Sequence, residues 1–184
     1  ARLAAAGIDK SLCDFIADAN TAAGVRVAAA KLLGKMGPTT PAAERAICDV
    51  IAGAQTPAEI REQALRLLAR TGPTGIGFAT LRPMLADPNA RLRCLAVAAL
   101  GAARDPNLAP QIADALIPLL KDDEVTRTTI ESLAHLRPVT DQTVAALTEL
   151  LEDKKRYSAA DEAAKALIRM GPAARSALPK FRKY

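Results

Sequence analysis

The side chains that most often carry catalysis are scarce in this chain of 184 residues. It has one histidine, His135, so neither a two-histidine metal site nor a histidine relay can be built from its own residues. Its three cysteines, Cys13, Cys48 and Cys94, are far apart and form no Cys-x-x-Cys pair. We expect free thiols that pack as small apolar side chains, which favours a reducing bacterial cytoplasm over the alternative, the periplasm. The chain is therefore predicted to hold no metal or cofactor and not to be an enzyme.

Two further motifs could suggest a ligand site. Gly72, Gly75 and Gly77 are close together, but they lie between two predicted helices and not between a strand and a helix, so a phosphate-binding loop is not predicted. The acidic run 122–124 directly precedes a predicted helix, where carboxylates cap exposed N–H groups; a cation site is the alternative. His135 falls near the C-terminal end of that helix, where a histidine interacts favourably with the helix dipole.

A 14-residue pattern recurs five times along the chain, with starts that lie 35, 32, 33 and 34 residues apart. The copies are Val25–Pro38, Ile60–Pro73, Leu92–Asp105, Val125–Pro138 and Ala159–Pro172. The ninth residue is leucine in every copy: Leu33, Leu68, Leu100, Leu133 and Leu167. In the second copy the apolar residues are spaced i, i+4, i+7 and i+8, which marks one face of a helix. This periodicity predicts a repeat array.

A second apolar run follows each copy, so each repeat of about 34 residues is predicted to be a helical hairpin. Gly-Pro pairs end the first helix in three copies (Gly37-Pro38, Gly72-Pro73 and Gly171-Pro172). Since one hairpin cannot bury both of its apolar faces, neighbouring hairpins must stack. We therefore predict an all-α fold, a right-handed α-solenoid of about five hairpins in a single domain. Its predicted parts are a partial repeat at 1–20 and repeats at 21–55, 56–87, 88–122, 123–155 and 156–184.

Three segments carry a family resemblance. Asp87–Gly101, Val25–Pro38 and Ala164–Ala173 resemble the first helix of a HEAT repeat, in the short bacterial form that is also found in phycobilisome lyases. The resemblance implies a HEAT/armadillo-like superhelix. It also implies that the arginines at the second position of three copies bridge to a carboxylate or carbonyl of the adjacent hairpin, as a structural ladder: Arg26, Arg61 and Arg93. A row of arginines that faces a ligand is the alternative. Because Leu3–Gly7 matches the end of a first helix, we expect the chain to be part of a longer protein; a removed presequence is the alternative.

The function that this pattern favours is a non-catalytic protein–protein interaction scaffold. The second helices are expected to line a concave face that binds another protein or protein domain. The side chains predicted to point there are Glu44, Arg45, Gln111, Asp114, Gln142 and Glu149. Their mixed charge suits a folded or polar protein partner better than a polyanion. No small-molecule substrate is expected, and no apolar run approaches the roughly 18 residues of a membrane span.

Two alternatives remain from other classes of function. Residues 154–184 carry a net charge of +7 and the remainder of the chain −2. The candidate basic patch is Lys154, Lys155, Arg156, Arg169, Lys180, Arg182 and Lys183. Such a patch allows nucleic-acid binding, as in the HEAT-like alkylpurine DNA glycosylases, although the chain has no tryptophan and few other aromatic residues. The second alternative, a bilin lyase or lyase subunit, is suggested by the type of repeat alone.

Overall fold

Helical hairpins form where the repeat pattern predicts them. The computed structural model describes residues 11–16, 18, 20–22, 25–26, 28–29, 31–32, 41–54, 56–153 and 155–181, and all regular secondary structure in these ranges is helical. The prediction of an all-α fold built from hairpins is confirmed. The chain divides into two compact units, unit 1 over Ala1–Ala102 and unit 2 over Ala103–Tyr184. Among the described residues, no helix is long and apolar enough to cross a membrane.

Unit 1 contains four full helices. They are α1 (Pro41–Ala52), α2 (Ala58–Thr71), α3 (Gly75–Met84) and α4 (Ala90–Gly101), and the described parts of 11–16 and 25–32 are also helical. The first helices α2 and α4 pack side by side, and the second helices α1 and α3 also contact each other. The repeat leucines Leu68 and Leu100 are completely buried. The regular spacing of the pattern thus places one leucine per repeat in the core of this unit.

Glycine ends α2 as the sequence predicts. Gly72 has a φ of +80°, which an L side chain rarely adopts, and its N–H donates to the carbonyl of Leu68 at 2.8 Å. Gly171 ends the first helix of the last repeat in the same way, with a φ of +61°. The third Gly-Pro pair, Gly37-Pro38, lies outside the described residues.

Unit 2 contains the last repeats. Its helices are α5 (Ala109–Leu116), α6 (Thr126–His135), α7 (Asp141–Leu151), α8 (Tyr157–Met170) and α9 (Leu178–Phe181), with 3₁₀ segments at Ile117–Lys121 and Gly171–Ala177. Helix α8 packs against both α6 and α7. Pro118 stands at the start of the first 3₁₀ segment, because proline lacks the N–H that would continue α5. Leu116, Ile130, Leu133 and Leu147 fill the core and are fully buried.

The fourth copy ends its first helix without glycine. Arg137 stands at the pattern position of Gly72, and α6 ends at His135. The guanidinium of Arg137 donates to the carbonyls of Ala134 at 2.8 Å and Leu136 at 2.7 Å. A side chain therefore satisfies carbonyls at this helix end, where two other copies use a glycine backbone.

Candidate partner-binding surfaces

The arginine ladder binds backbone carbonyls of the chain itself. Each of the three arginines donates to a carbonyl that precedes its own helix: Arg26 to Ile16 at 2.9 Å, Arg61 to Gly53 at 3.1 Å, and Arg93 to Asp87 at 2.9 Å. Arg61 and Arg93 also reach a second carbonyl, of Ala54 and Pro88 respectively. These carbonyls lie at or just beyond the end of the preceding helix, where the backbone lacks intrahelical donors. The guanidinium groups thus join each first helix to the helix before it.

Arg156 makes the corresponding contact in the fourth repeat, from a distant part of the sequence. Thr126 occupies the ladder position there, and its hydroxyl lies 2.6 Å from the carbonyl oxygen of Asp122 and 3.3 Å from that of Leu120. Arg156, directly before α8, donates to the carbonyl of Leu120 and to Oγ1 of Thr126, both at 2.6 Å, and forms an ion pair with Asp123 at 2.7 Å. Leu120 precedes Thr126 by six residues, as Asp87 precedes Arg93. Arg156, which was predicted to belong to the basic patch, therefore binds oxygen atoms of the chain itself.

The other residues of the predicted basic patch differ in exposure and in ion pairing. Lys155 and Arg169 are exposed, and the ammonium group of Lys180 forms an ion pair with Glu152. Lys154, Arg182 and Lys183 lie outside the described residues. Of the four described members, two are therefore engaged with oxygen atoms of the chain.

Glu44 is not on a partner-facing surface, contrary to the prediction. Its side chain on α1 is 2% exposed. Its carboxylate accepts hydrogen bonds from the N–H of Thr74 at 2.7 Å, the N–H of Gly77 at 3.1 Å and the hydroxyl of Thr74 at 2.7 Å. It thereby caps the N-terminus of α3, where the unsatisfied N–H groups and the helix dipole favour an anion. The glycine-rich segment thus does hold an anion, a carboxylate of the same chain.

A signal for this contact was present in the sequence. Glu44 precedes Ile47 by three residues and Ile51 by seven, so it shares the buried face of α1 with both. Gly77 leaves the space for it, because a Cβ at this position would lie 2.7 Å from Oε1 of Glu44 and 2.6 Å from Cβ of Pro73. A charged residue on the apolar face of one helix, together with a glycine inside the next second helix, therefore predicts a buried contact between the two.

The remaining predicted partner residues are exposed. Arg45 lies on α1 in unit 1, Gln111 and Asp114 on α5, and Gln142 and Glu149 on α7. Within unit 2, α5 and α7 contact each other as successive second helices. The structure therefore brings the exposed side chains of Gln111, Asp114, Gln142 and Glu149 onto neighbouring helices of one unit.

A groove of about 550 Å³ lies beside α7 in unit 2. We call it the acidic groove and define it by Asp141, Val144, Ala145, Glu149, Glu152 and Lys180. Lys180 is paired with Glu152, and neither Asp141 nor Glu149 pairs with a cation among the described residues. The segment that contains α5, α6 and α7 has the same sign, because residues 103–153 contain ten acidic and four basic side chains, whereas residues 154–184 of the same unit carry a net charge of +7. Where mixed charge was expected, this second-helix surface is acidic.

The residues that were first considered for catalysis or metal binding are hydrogen-bonded to the backbone or packed in the fold. The imidazole Nδ1–H of His135 donates to the carbonyl of Glu131 at 2.7 Å in the last turn of α6. Asp122 accepts from the N–H of Glu124 at 3.1 Å. Cys13 and Cys48 are buried, and Cys94 is partly exposed. In the part of the chain that the structure describes, no three acidic, histidine or cysteine side chains cluster as a metal site would require.

Comparison with known proteins identifies the repeat. Residues 44–134 match the family model of HEAT repeats. This segment consists of HEAT repeats. The match spans the helices from α1 to α6 and confirms the predicted family. HEAT repeats are in general protein-interaction scaffolds.

Comparison with individual proteins adds the fold but no activity. The chain is similar to the crystal structure of an engineered protein, with a TM-score of 0.59 and 21% sequence identity, over 96% of this chain and 84% of that one. At this identity the similarity shows a shared helical fold alone. No curated protein matches the chain.

Proposed function

We propose that the chain is a non-catalytic scaffold and that the acidic groove binds a basic segment of a partner protein. The observation that carries this proposal is that Asp141 and Glu149 are eight residues, about two turns, apart on α7 and line one groove, with the exposed Ala145 one turn after Asp141. Apolar lining residues contribute affinity, while the carboxylates orient lysine or arginine side chains and accept charge-assisted hydrogen bonds.

The charge distribution supports a protein partner at this groove. The carboxylates of Asp141 and Glu149, on a segment with an excess of acidic side chains, attract a basic segment that approaches the groove. The same carboxylates repel a phosphate backbone. Two of the cations that a nucleic acid would use, Arg156 and Lys180, already bind carboxylates of the chain. These charges therefore favour a basic protein segment over DNA or RNA as the ligand of the groove.

The proposal is tested with the full chain and a labelled peptide rich in lysine and leucine, by fluorescence anisotropy. Glu149→Lys reverses one charge of the groove near the end of α7. Asp49→Lys is the matched control, since Asp49 is exposed and lies near the end of another second helix, α1. We expect Glu149→Lys to weaken binding about tenfold, equal to about 1.4 kcal/mol, and Asp49→Lys to leave it unchanged.

A pull-down from the source organism, with and without nuclease, then tests the partner class. A protein that is retained by the Asp49→Lys variant, lost with Glu149→Lys and insensitive to nuclease supports the proposal. Equal binding by both variants, or material that disappears after nuclease treatment, contradicts it.

A further inference from the structure

We propose that unit 1 carries a second binding site, of opposite charge, which takes an acidic segment of a partner protein that also bears apolar side chains. The site is a groove of about 570 Å³ beside α2. We call it the basic groove and define it by Lys31, Gln63, Arg66, Leu67, Arg70 and Leu95. It lies on the first helices of three successive repeats, whereas the acidic groove lies beside a second helix.

The cations are brought together by the register of the repeats. Lys31 and Arg66 occupy the seventh position of the first and second copies, so stacking places them in one row. Arg70 follows Arg66 by four residues and therefore lies on the same side of α2. In the third copy the seventh residue is Ala98, which carries no charge, and the groove wall there is the apolar Leu95. One side of the groove is thus basic and the other apolar.

The carboxylate beside Arg66 is directed toward another arginine. Glu62 lies one turn before Arg66, but its Oε2 is 2.7 Å from Nε of Arg91 and 3.8 Å from Nη2 of Arg66. The bond to Glu62 also raises the pKa of Arg91 above its ordinary value. An exposed pair at 3.8 Å contributes little stabilisation. In the part of the chain that the structure describes, no acidic side chain lines the groove, so its walls are basic and apolar.

The size and chemistry of the groove define its occupant. A volume of about 570 Å³ is within the range of sites that bury a small ligand or a few side chains. The partly exposed Leu95 offers an apolar surface, and a guanidinium group such as that of Arg66 can bind a carboxylate through paired hydrogen bonds. A nucleic acid would use the cations but would leave the apolar side unoccupied. A peptide that alternates glutamate with leucine satisfies both sides.

The test measures binding of a labelled glutamate–leucine peptide to the full chain by fluorescence anisotropy. Arg70→Glu reverses a charge in the groove. Arg169→Glu is the matched control, because Arg169 is the equivalent residue of the fifth copy, also exposed in the last turn of a first helix. We expect Arg70→Glu and Arg66→Glu each to weaken binding about tenfold and Arg169→Glu to have no effect. A peptide with serine in place of leucine should bind more weakly to the wild-type chain.

Several results would overturn the proposal. They are equal loss in Arg70→Glu and Arg169→Glu, equal binding of the leucine and serine peptides, and tighter binding of duplex DNA or of anionic vesicles than of the peptide. Self-association that disappears in Arg70→Glu would assign the groove to a second copy of the chain instead. The Glu149→Lys variant should bind the glutamate–leucine peptide normally. The proposals for the basic groove and for the acidic groove can therefore be tested independently.

Discussion

The carboxylate of Glu44 lies 3.1 Å from the amide nitrogen of Gly77, 33 residues further along the chain. Through this contact a side chain of one second helix, α1, caps the next one, α3. The two residues depend on each other, because the carboxylate needs the backbone donors and the donors need an acceptor in a buried site. The pair therefore fixes the position of two successive repeats.

Gly77→Ala is expected to destabilise the fold by about 1–3 kcal/mol, because the added Cβ would lie 2.7 Å from Oε1 of Glu44 and 2.6 Å from Cβ of Pro73. Chemical denaturation measures the change. Gly75→Ala is the control, since a Cβ at that position has no atom within 4 Å; it should leave the free energy of unfolding unchanged or raise it by about 0.5–1 kcal/mol. Equal effects of the two substitutions would contradict the role of Gly77.

Glu44→Ala is expected to cost about 1–3 kcal/mol of stability, because the N–H groups of Thr74 and Gly77 lose their acceptor. Asp49→Ala, an exposed acid on the same helix, should change stability by less than about 0.5 kcal/mol. Partner binding, measured on folded protein, should be the same in both variants. Loss of partner binding in a fully folded Glu44→Ala chain would instead support the original prediction that Glu44 contacts the partner.

Arg156→Ala is expected to destabilise unit 2 by about 1–3 kcal/mol, since the carbonyl of Leu120 and the hydroxyl of Thr126 both lose a charged donor. Arg127→Ala provides the comparison, because Arg127 makes an exposed i,i+4 pair with Glu131 that contributes only about 0.3–0.5 kcal/mol. Urea denaturation distinguishes the two. Arg156→Lys should restore little of the loss, because an ammonium group cannot reach both oxygens in the geometry of the guanidinium.

Burial raises the pKa of the Cys48 thiol, and the hydrogen bond with Thr80 opposes this shift only in part. The folded state therefore keeps its proton at a pH where the unfolded thiol ionises. The contribution of Cys48 to stability is complete below the unfolded pKa and is lost as the pH rises toward the folded pKa. From about pH 7 to about pH 10, the midpoint of urea denaturation should fall less in Cys48→Ala than in the wild type.

Labelling of the thiol checks the same burial directly. In the wild-type chain, Cys48 should react with iodoacetamide only after unfolding, because the thiolate is the nucleophile and the side chain is 3% exposed. Rapid labelling of Cys48 in the folded protein, at the rate of an unfolded control, would contradict the structure.

The repeat pattern predicted the helices and hairpins well, because apolar spacing and glycine stops are local properties of the sequence. It misplaced Glu44, which was assigned with Arg45 to the partner-facing surface, although the spacing of Glu44 to Ile47 marks the buried face. It also missed the role of Arg156, which depends on a contact over 36 residues. The sign there was the absence of arginine at position 126, where threonine supplies no guanidinium.

The two grooves show a different limit of the sequence pattern. The seventh-position row of Lys31 and Arg66 can be read from the alignment of copies, but its significance depends on where Glu62 directs its carboxylate. The acidic character of α7 could be counted along the chain, yet the groove also requires the side chain of Lys180 to reach Glu152. Such choices between alternative ion pairs are made by tertiary packing.

In the first three copies, the arginine and the carbonyl it binds lie within ten residues of each other. Each of these first helices therefore carries the arginine that binds it to the preceding helix. In the fourth repeat, the corresponding hydrogen bond to a carbonyl comes from Arg156, at the start of the fifth repeat. A recombinant array that gains or loses an early repeat would therefore keep its arginine contacts, although removal of the first or the second repeat would also break the cap that Glu44 forms on α3. The last two must be exchanged together, as one inseparable module.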